Sequence, residues 1–379
     1  MILHDVRLYG KQGRYDIHIR GSIIAGIEEA AEGPHGLHSE NPLDLGGCLA
    51  FPGLINSHDH LDFNLYPQLG NRVYRDYREW GPDIQATKKD IIESVQGVPA
   101  PLRVRWGLYK NLLNGFTTVV HHGDKLDTAS SPVQVFQESV PLHSPAFEKR
   151  WKWKLNNPFT NGRPVVMHVG EGTGEKSSAE ISEVIRFNKL KRKIIAVHGV
   201  AMDEAQSAAF AGLVWCPASN YFLLDSTADI TGIRSTTKIV FGTDSTLTSS
   251  WNGWEHFRLA LSGSRVTERE LMDMLTVTPA ALWGFKDRGV IRAGCAADIV
   301  VTAGRERFFD NNPEDICLVV RQGQVRLCDE RFAEPLQGVI HEFSHITMNG
   351  KAKWVQGDLP ALAGEIRQYY PEANIPFDL

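Results

Sequence analysis

The sequence predicts an α/β chain built on a (β/α)8, TIM-like barrel, shortened or irregular on one side, with a small β-sandwich made from its two ends. Three observations lead there. Four apolar, strand-like runs stop at polar groups: LINSHDH at 54–60, PVVMH ending at His168, IIAVH ending at His198 and IVFGTD ending at Asp244. Parallel strands buried on both faces read as such runs, and barrel chemistry collects at their C-terminal ends. Stretches of helical spacing lie between these runs, and short alternating runs flank them at both ends of the chain.

Bulk properties agree with this and remove some functions. A single barrel absorbs about 250 residues, so a chain of 379 leaves room for a second, smaller unit. Hydrophobic content of 42% and charged content of 22% are those of an ordinary soluble protein. The net charge of −5 offers no overall basic character to hold phosphates, so nucleic acid is not expected as a partner. Cys48, Cys216, Cys295, Cys317 and Cys328 are odd in number and lack C-x-x-C spacing. They read as buried free thiols in a reducing compartment rather than as disulfides or a thiolate zinc site. The amino terminus carries charges throughout and no run approaches the ~20 apolar residues of a membrane span, so a cytoplasmic protein without a membrane partner is expected.

In chain order, residues 1–50 alternate apolar and polar positions, broken by turn glycines. The pattern recurs in AADIVVTAG at 296–304 and ICLVVRQGQVRLCD at 316–329. Pairing the two segments gives a composite β-sandwich of 1–50 and 290–335 around a barrel of 51–289, with 336–379 as a C-terminal tail. His4 and His18 belong to the sandwich and are expected to be structural. In FPGLINSHDHLDFN, extended backbone puts His58 and His60 on one side and Asp59 on the other. Two adjacent imidazoles are half of a divalent metal site. Residues 65–94 show little periodicity and read as a long loop over the barrel mouth, with Arg72, Arg75, Arg78 and Trp80 as candidate substrate contacts.

From Pro101 a helix runs to Asn114, Gly115 ends it, and FTTVV leads to His121 and His122. These two alternate faces, so one of them looks into the barrel as a substrate-binding group. Only 42 residues, 123–164, then precede the next clear strand, too few for two full βα units of about 30 residues each, hence the expected irregularity. Trp151 and Trp153 lie in that interval. Beyond it, Asp203–Gln206 and Thr267–Glu270 have capping-box spacing, and GLVWCPASN places Ser219 and Asn220 where polar groups orient substrate.

The combination of PGLINSHDH at 52–60, HVGE at 168–171, AVHG at 196–199, CPASN at 216–220, GTDS at 242–245 and TPAALWGFKDRGVIRAGCAADIVV at 278–301 resembles the amidohydrolase superfamily, within it the mononuclear cytosine deaminase and chlorohydrolase group. The resemblance covers roughly residues 1–328. It implies a hydrolase acting on carbon–nitrogen bonds other than peptide bonds, with one divalent ion, Zn2+ or Fe2+, held by His58, His60, His168 and Asp244. Glu171 matches the proton shuttle of that group, His198 hydrogen-bonds the attacking water or the substituent of the scissile carbon, and Asp244 also accepts a proton. No strand here ends in the lysine that binuclear relatives carboxylate. Hydrolytic deamination of a small N-heterocycle leads; hydrolysis of a cyclic or linear amide at the same site, and an inactive binding protein, are the alternatives. Substrate identity and homo-oligomerisation stay open.

Overall fold

The computed structural model describes residues 1–30, 42–128 and 130–378. At the amino end, β1 (Ile2–Leu8), β2 (Tyr15–Arg20) and β3 (Ile23–Glu29) make an antiparallel meander in which Leu3 faces Ile17 and Ile17 faces Ile27. His4 and His18 bond Asp16 and Glu28 within it. Then β4 (Leu43–Asp44) and β5 (Leu49–Pro52) return parallel to β1.

The middle of the chain carries eight strands that are parallel where they pair. After β6 (Leu54–Asp59), α1 (Tyr77–Thr87), α2 (Lys89–Gly97) and α3 (Ala100–Leu113) lead to β7 (Phe116–His121), β8 (Gln134–Phe136) and β9 (Val140–Leu142). Next come α4 (Trp151–Leu155), β10 (Val165–Val169), α5 (Glu175–Phe187), β11 (Ile194–His198), α6 (Glu204–Ser207) and β12 (Gly212–Trp215). The series closes with α7 (Pro217–Leu224), α8 (Ile230–Ile233), β13 (Lys238–Phe241), α9 (Gly253–Ser262), α10 (Glu268–Leu275) and α11 (Val277–Trp283). Strands β6-β7-β8 form one sheet and β9-β10-β11-β12-β13 another. The end of β13 reaches back to β6, where the Asp244 amide donates to the His58 carbonyl at 3.1 Å. The short interval at 123–164 is spanned by β8 and β9, three residues each, with no helix between them.

Alternation along these strands buries both faces. Val166, Ile195, Val197, Val214 and Val240 pack together with Leu282 and Trp283, while Val165, Met167, Ile194, Ala196 and Phe241 pack with the helices. This is why the strands read as continuous apolar runs rather than as half-polar ones. Both expected capping boxes, Asp203–Gln206 and Thr267–Glu270, are present.

Two stretches differ from the sequence reading. Residues 65–94 hold α1 and much of α2 rather than one long loop. Asp76 starts α1 by accepting from the amides of Arg78 and Glu79, and only Tyr77 and Ile84 are buried, so little apolar periodicity marks it; Pro82 inside the helix masks it further. Residues 336–379 are also more than a tail. After β14 (Ile299–Thr302), β15 (Ile316–Arg321) and β16 (Gln324–Asp329), the hairpin β17 (Phe343–Met348) and β18 (Lys351–Gln356) adds to the sheet through β16. Helix α12 (Leu359–Tyr369) then buries Leu362 and Ile366 in the main core, and Phe377 lies 6.3 Å from the Trp106 ring. Strands β14 to β18 join the amino-terminal strands in one ten-stranded mixed sheet, with Val300 facing Phe51 where β14 meets β5. The five cysteines are free and buried, and among the described residues no helix is long and apolar enough to cross a membrane.

Helix α3 approaches the turn after β6 most closely at Gly107, where a Cβ would lie 2.1 Å from the Leu61 carbonyl oxygen. Gly107→Ala therefore forces α3 away from the strand that carries His58 and His60. Urea unfolding of this variant is expected to show a loss of about 1–3 kcal/mol; an unchanged midpoint would mean that the contact yields freely.

Candidate metal centre

The polar groups at the ends of β6, β10 and β11, and Asp244 just beyond β13, meet in one buried place. His58 Nε2 and His168 Nε2 are 3.1 Å apart, and Asp244 Oδ1 lies 3.7 Å from His58 Nε2 and 3.9 Å from His60 Nε2. Ligand atoms of His58, His60 and His168 fall within 4.8 Å of one another, as do those of His58, His198 and Asp244. Donors so spaced fit an ion that binds each at about 2.0–2.2 Å. Alternation along β6 lets Ser57 meet the Trp283 indole while the next residue, His58, turns toward His168.

Charge state suits the same purpose. Burial, reinforced by the surrounding imidazoles, pushes His58 and His168 well below the ordinary histidine range, so both are neutral and present lone pairs. Burial opposes ionisation of Asp244, but His60, His198, the Ser245 amide and the Ser219 hydroxyl outweigh it and hold its carboxyl below the usual range. The His198 Nδ1 faces Asn220 Oδ1 at 2.8 Å; a carboxamide oxygen only accepts, so Nδ1 donates and the ring is held with Nε2 toward the cluster. That Nε2 lies 3.7 Å from Glu171 Oε1 and 3.9 Å from Asp244 Oδ2. Burial raises the Glu171 carboxyl to about 7, helped by the charges of Asp244 and Glu180 against the opposing effect of His198. Glu180 also accepts from the Gly170 amide at 3.1 Å, which holds the turn that presents Glu171. His198 and Asp244 both adopt left-handed backbone, φ 70° and 56°, a conformation that side-chain-bearing residues keep only where surroundings enforce it.

Residues 152–327, which contain His168, Glu171, His198 and Asp244, match the Amidohydrolase family. Over that stretch, somewhat under half of its length, the chain is similar to this family. A curated 5-methylthioadenosine/S-adenosylhomocysteine deaminase of Halothermothrix orenii is 28% identical over 169 residues, 37% of this chain. The match spans about two fifths of that relative, 39% of its length. Among solved structures, an adenosine deaminase from Xanthomonas campestris with bound zinc superposes with a TM-score of 0.68 at 15% identity, covering 95% of this chain and 93% of the other. A 5-methylcytosine deaminase from Klebsiella pneumoniae gives 0.64 at 15% identity over 87% and 98%, and a guanine deaminase from C. acetobutylicum gives 0.61 at 14% over 86% and 99%. At such identities the likeness is one of fold.

The candidate metal cluster rests on a buried ion pair that the sequence reading did not single out. Lys110 of α3 is 1% exposed, and its ammonium donates to Asp59 Oδ2 at 3.2 Å, Asn64 Oδ1 at 2.8 Å and the Asp244 carbonyl at 3.0 Å. Asp59, facing away from His58 and His60 as alternation requires, also accepts from Asn111 at 2.7 Å and Asn64 at 2.9 Å. One cation thereby ties the strand bearing two imidazoles to the turn bearing the carboxylate. The available signal was a lysine inside a helix whose neighbours Trp106, Leu108, Leu112 and Leu113 are all apolar.

The candidate substrate contacts are distributed unevenly. The His122 ring stacks on His168, 4.5 Å between centroids and 14° between planes, while His121 turns to the Leu61 amide and the Asp124 carbonyl. Only one of the pair joins the cluster, as the alternation demanded. The Asn220 carboxamide is engaged by His198 and Thr227, and the Trp80 indole donates to the Leu69 carbonyl from α1. Arg72 and Arg78 are paired with nearby carboxylates. His143, which the sequence did not flag, stands 5.3 Å from the His168 ring. It follows a strand of only three residues, too short for a recognisable apolar run. Beside His60, His122 and His143 opens a cavity of about 470 Å3, whose wall also carries Asp62, Asp124 and Glu148.

Removing one partner of a buried pair strands the other charge, which costs about 3–5 kcal/mol. Lys110→Met is expected to lose that much in urea unfolding, and adding Asp59→Asn is expected to recover most of it. If the double variant is no more stable than the single one, the two charges are not compensating each other.

Proposed function

We propose that this chain is a metal-dependent aminohydrolase that removes ammonia from a small N-heterocycle. The observation that carries the reading is the buried Glu171 carboxyl, raised to about 7, beside a quartet of His58, His60, His168 and Asp244. Three imidazoles and one carboxylate suit one divalent ion, Zn2+ or Fe2+, and leave room for water. Such an ion, when bound, supplies a Lewis acid and lowers the pKa of a coordinated water to about 7. The rest falls to the chain's own groups. His198, its ring oriented by the Asn220 bond, turns Nε2 toward the cluster to hydrogen-bond the attacking water. Asp244 takes up a proton, and Glu171 delivers one to the leaving nitrogen; an acid at this step is worth about a hundredfold to ten-thousandfold. His122 lines the pocket as a substrate contact.

The names of the similar proteins support a heterocyclic amine as substrate: adenosine, guanine, 5-methylcytosine and 5-methylthioadenosine deaminases. The cavity falls in the range of small-molecule sites, and Asp62 and Asp124 favour a neutral or cationic ligand over a phosphorylated one. Lys154, also at its wall, is paired with Glu148 at 2.5 Å. The eight central strands are read as the closed barrel of 51–289, and the terminal strands as the composite sandwich of 1–50 and 290–335. The buried free cysteines fit a reducing cytoplasm.

Ammonia release across a panel of heterocyclic amines tests the activity, and hydrolysis of cyclic or N-acyl amides without such release would replace it. His58→Ala and Asp244→Ala are each expected to lose bound metal and turnover together, measured by metal analysis and ammonia assay. Glu171→Gln is expected to keep its metal while kcat and kcat/KM fall together by about a hundredfold or more; metal loss in this variant would make Glu171 a ligand instead. For any nucleoside substrate, the 5′-monophosphate is expected to have a kcat/KM at least about tenfold lower, because its charge meets the carboxylates of the cavity wall.

A further inference from the structure

Residues 147–163 and 183–193 carry ten lysines and arginines against two glutamates, in a chain whose net charge is −5. The two segments form one surface. Asn156 Oδ1 accepts from the amides of Lys189 and Leu190 at 2.9 and 3.2 Å, and the Lys152 ammonium sits 4.0 Å over the Phe187 ring. The two glutamates are already neutralised, Glu148 by Lys154 at 2.5 Å and Glu183 by Lys152 at 2.6 Å.

On this basic surface the fold holds apolar side chains in water. Phe159 is 94% exposed, Trp153 66% and Leu190 44%. The loop carrying Phe159 is well supported: Asn157 caps the Phe159 amide at 3.0 Å, and a buried guanidinium, Arg192, donates to the carbonyls of Leu155, Asn157, Thr160 and Arg163 at 2.8–3.2 Å. Charge-assisted bonds of this kind fix a backbone firmly, and here they fix one whose apolar ring touches almost nothing. Trp151 two residues before Trp153 is buried, so α4 turns one indole inward and the other out.

We propose that this surface docks the protein on an anionic lipid bilayer. Aromatic tips among lysines and arginines are what a bilayer interface receives, the rings entering at headgroup depth and the cations meeting anionic headgroups. A second copy of the chain fits worse, because a two-fold contact would set the cations against each other. A nucleic acid strand fits worse too, because Phe159 protrudes instead of lining a basic groove in which a base would stack. The Val165 amide bonds the Lys193 carbonyl at 2.8 Å, so Lys193 lies where β10 and β11 begin, whereas His168 and His198 lie where they end; Lys154 and Glu148, at the edge of the basic surface, reach the cavity wall.

The test is co-sedimentation of the purified full chain with phosphatidylcholine–phosphatidylglycerol vesicles and with phosphatidylcholine vesicles, at low and high salt. The expected result is binding to the anionic vesicles alone, weakened by salt. The Trp153→Glu/Phe159→Glu double variant, with both positions exposed and remote from the cluster, is expected to keep the wild-type melting temperature and to lose at least about tenfold in vesicle partitioning. No binding to anionic vesicles, equal binding to neutral ones, or undiminished binding by the double variant overturns the proposal. So does a single-stranded oligonucleotide bound, or a dimer formed, through Trp153 and Phe159 in place of vesicle binding.

Discussion

A single buried ammonium group holds the two halves of the metal cluster in register. Lys110 reaches from α3 to Asp59 on the strand of His58 and His60 and to the carbonyl of Asp244 on the turn after β13. Its desolvation is costly, and a pair of such charges rarely stabilises a fold over apolar residues of the same size. Specific geometry is what it supplies. Asp244 is held in left-handed backbone with its amide on the His58 carbonyl and its own carbonyl on Lys110, so the carboxylate has little freedom to turn away from the imidazoles.

Around that anchor the electrostatics are those of a site made for a cation. His58, His168 and His122 are each pushed toward neutrality by burial and by one another, and Asp244 stays ionised among them. Burial shifts acids and bases in opposite directions, so the one environment that strips protons from imidazoles also keeps one on Glu171 up to about pH 7. The imidazoles and Glu171 are thus separated by charge as well as position: lone pairs on one side, a carboxyl poised near neutrality on the other.

Charge is also distributed unevenly over the outside. The net value of −5 conceals a basic surface, centred near the starts of β10 and β11 and reaching the cavity wall at Lys154, and the carboxylates of Asp62 and Asp124 at the cavity. Net charge is a sum and says nothing of where the charges lie, which is why the composition alone pointed away from any phosphate-bearing partner.

By itself the sequence determined the apolar strand runs and the polar residues that end them, because β-strand alternation and burial on both faces leave a pattern that needs no partner to be read. His58, His60, His168, His198 and Asp244 were legible for that reason; Glu171 came from the family resemblance, and both capping boxes from their spacing. Tertiary structure decided what depends on neighbours distant in sequence. Helix α1 is specified by a cap and two buried side chains, too few for periodicity to show it. Lys110 looked like any helix lysine until Asp59 and Asp244, 51 and 134 residues away, closed around it. Asn220, expected at the substrate, and His143, not expected at all, were assigned by which group happened to face them. A side chain's partner across the fold is set by packing of whole elements, and that information is absent from any local stretch of residues.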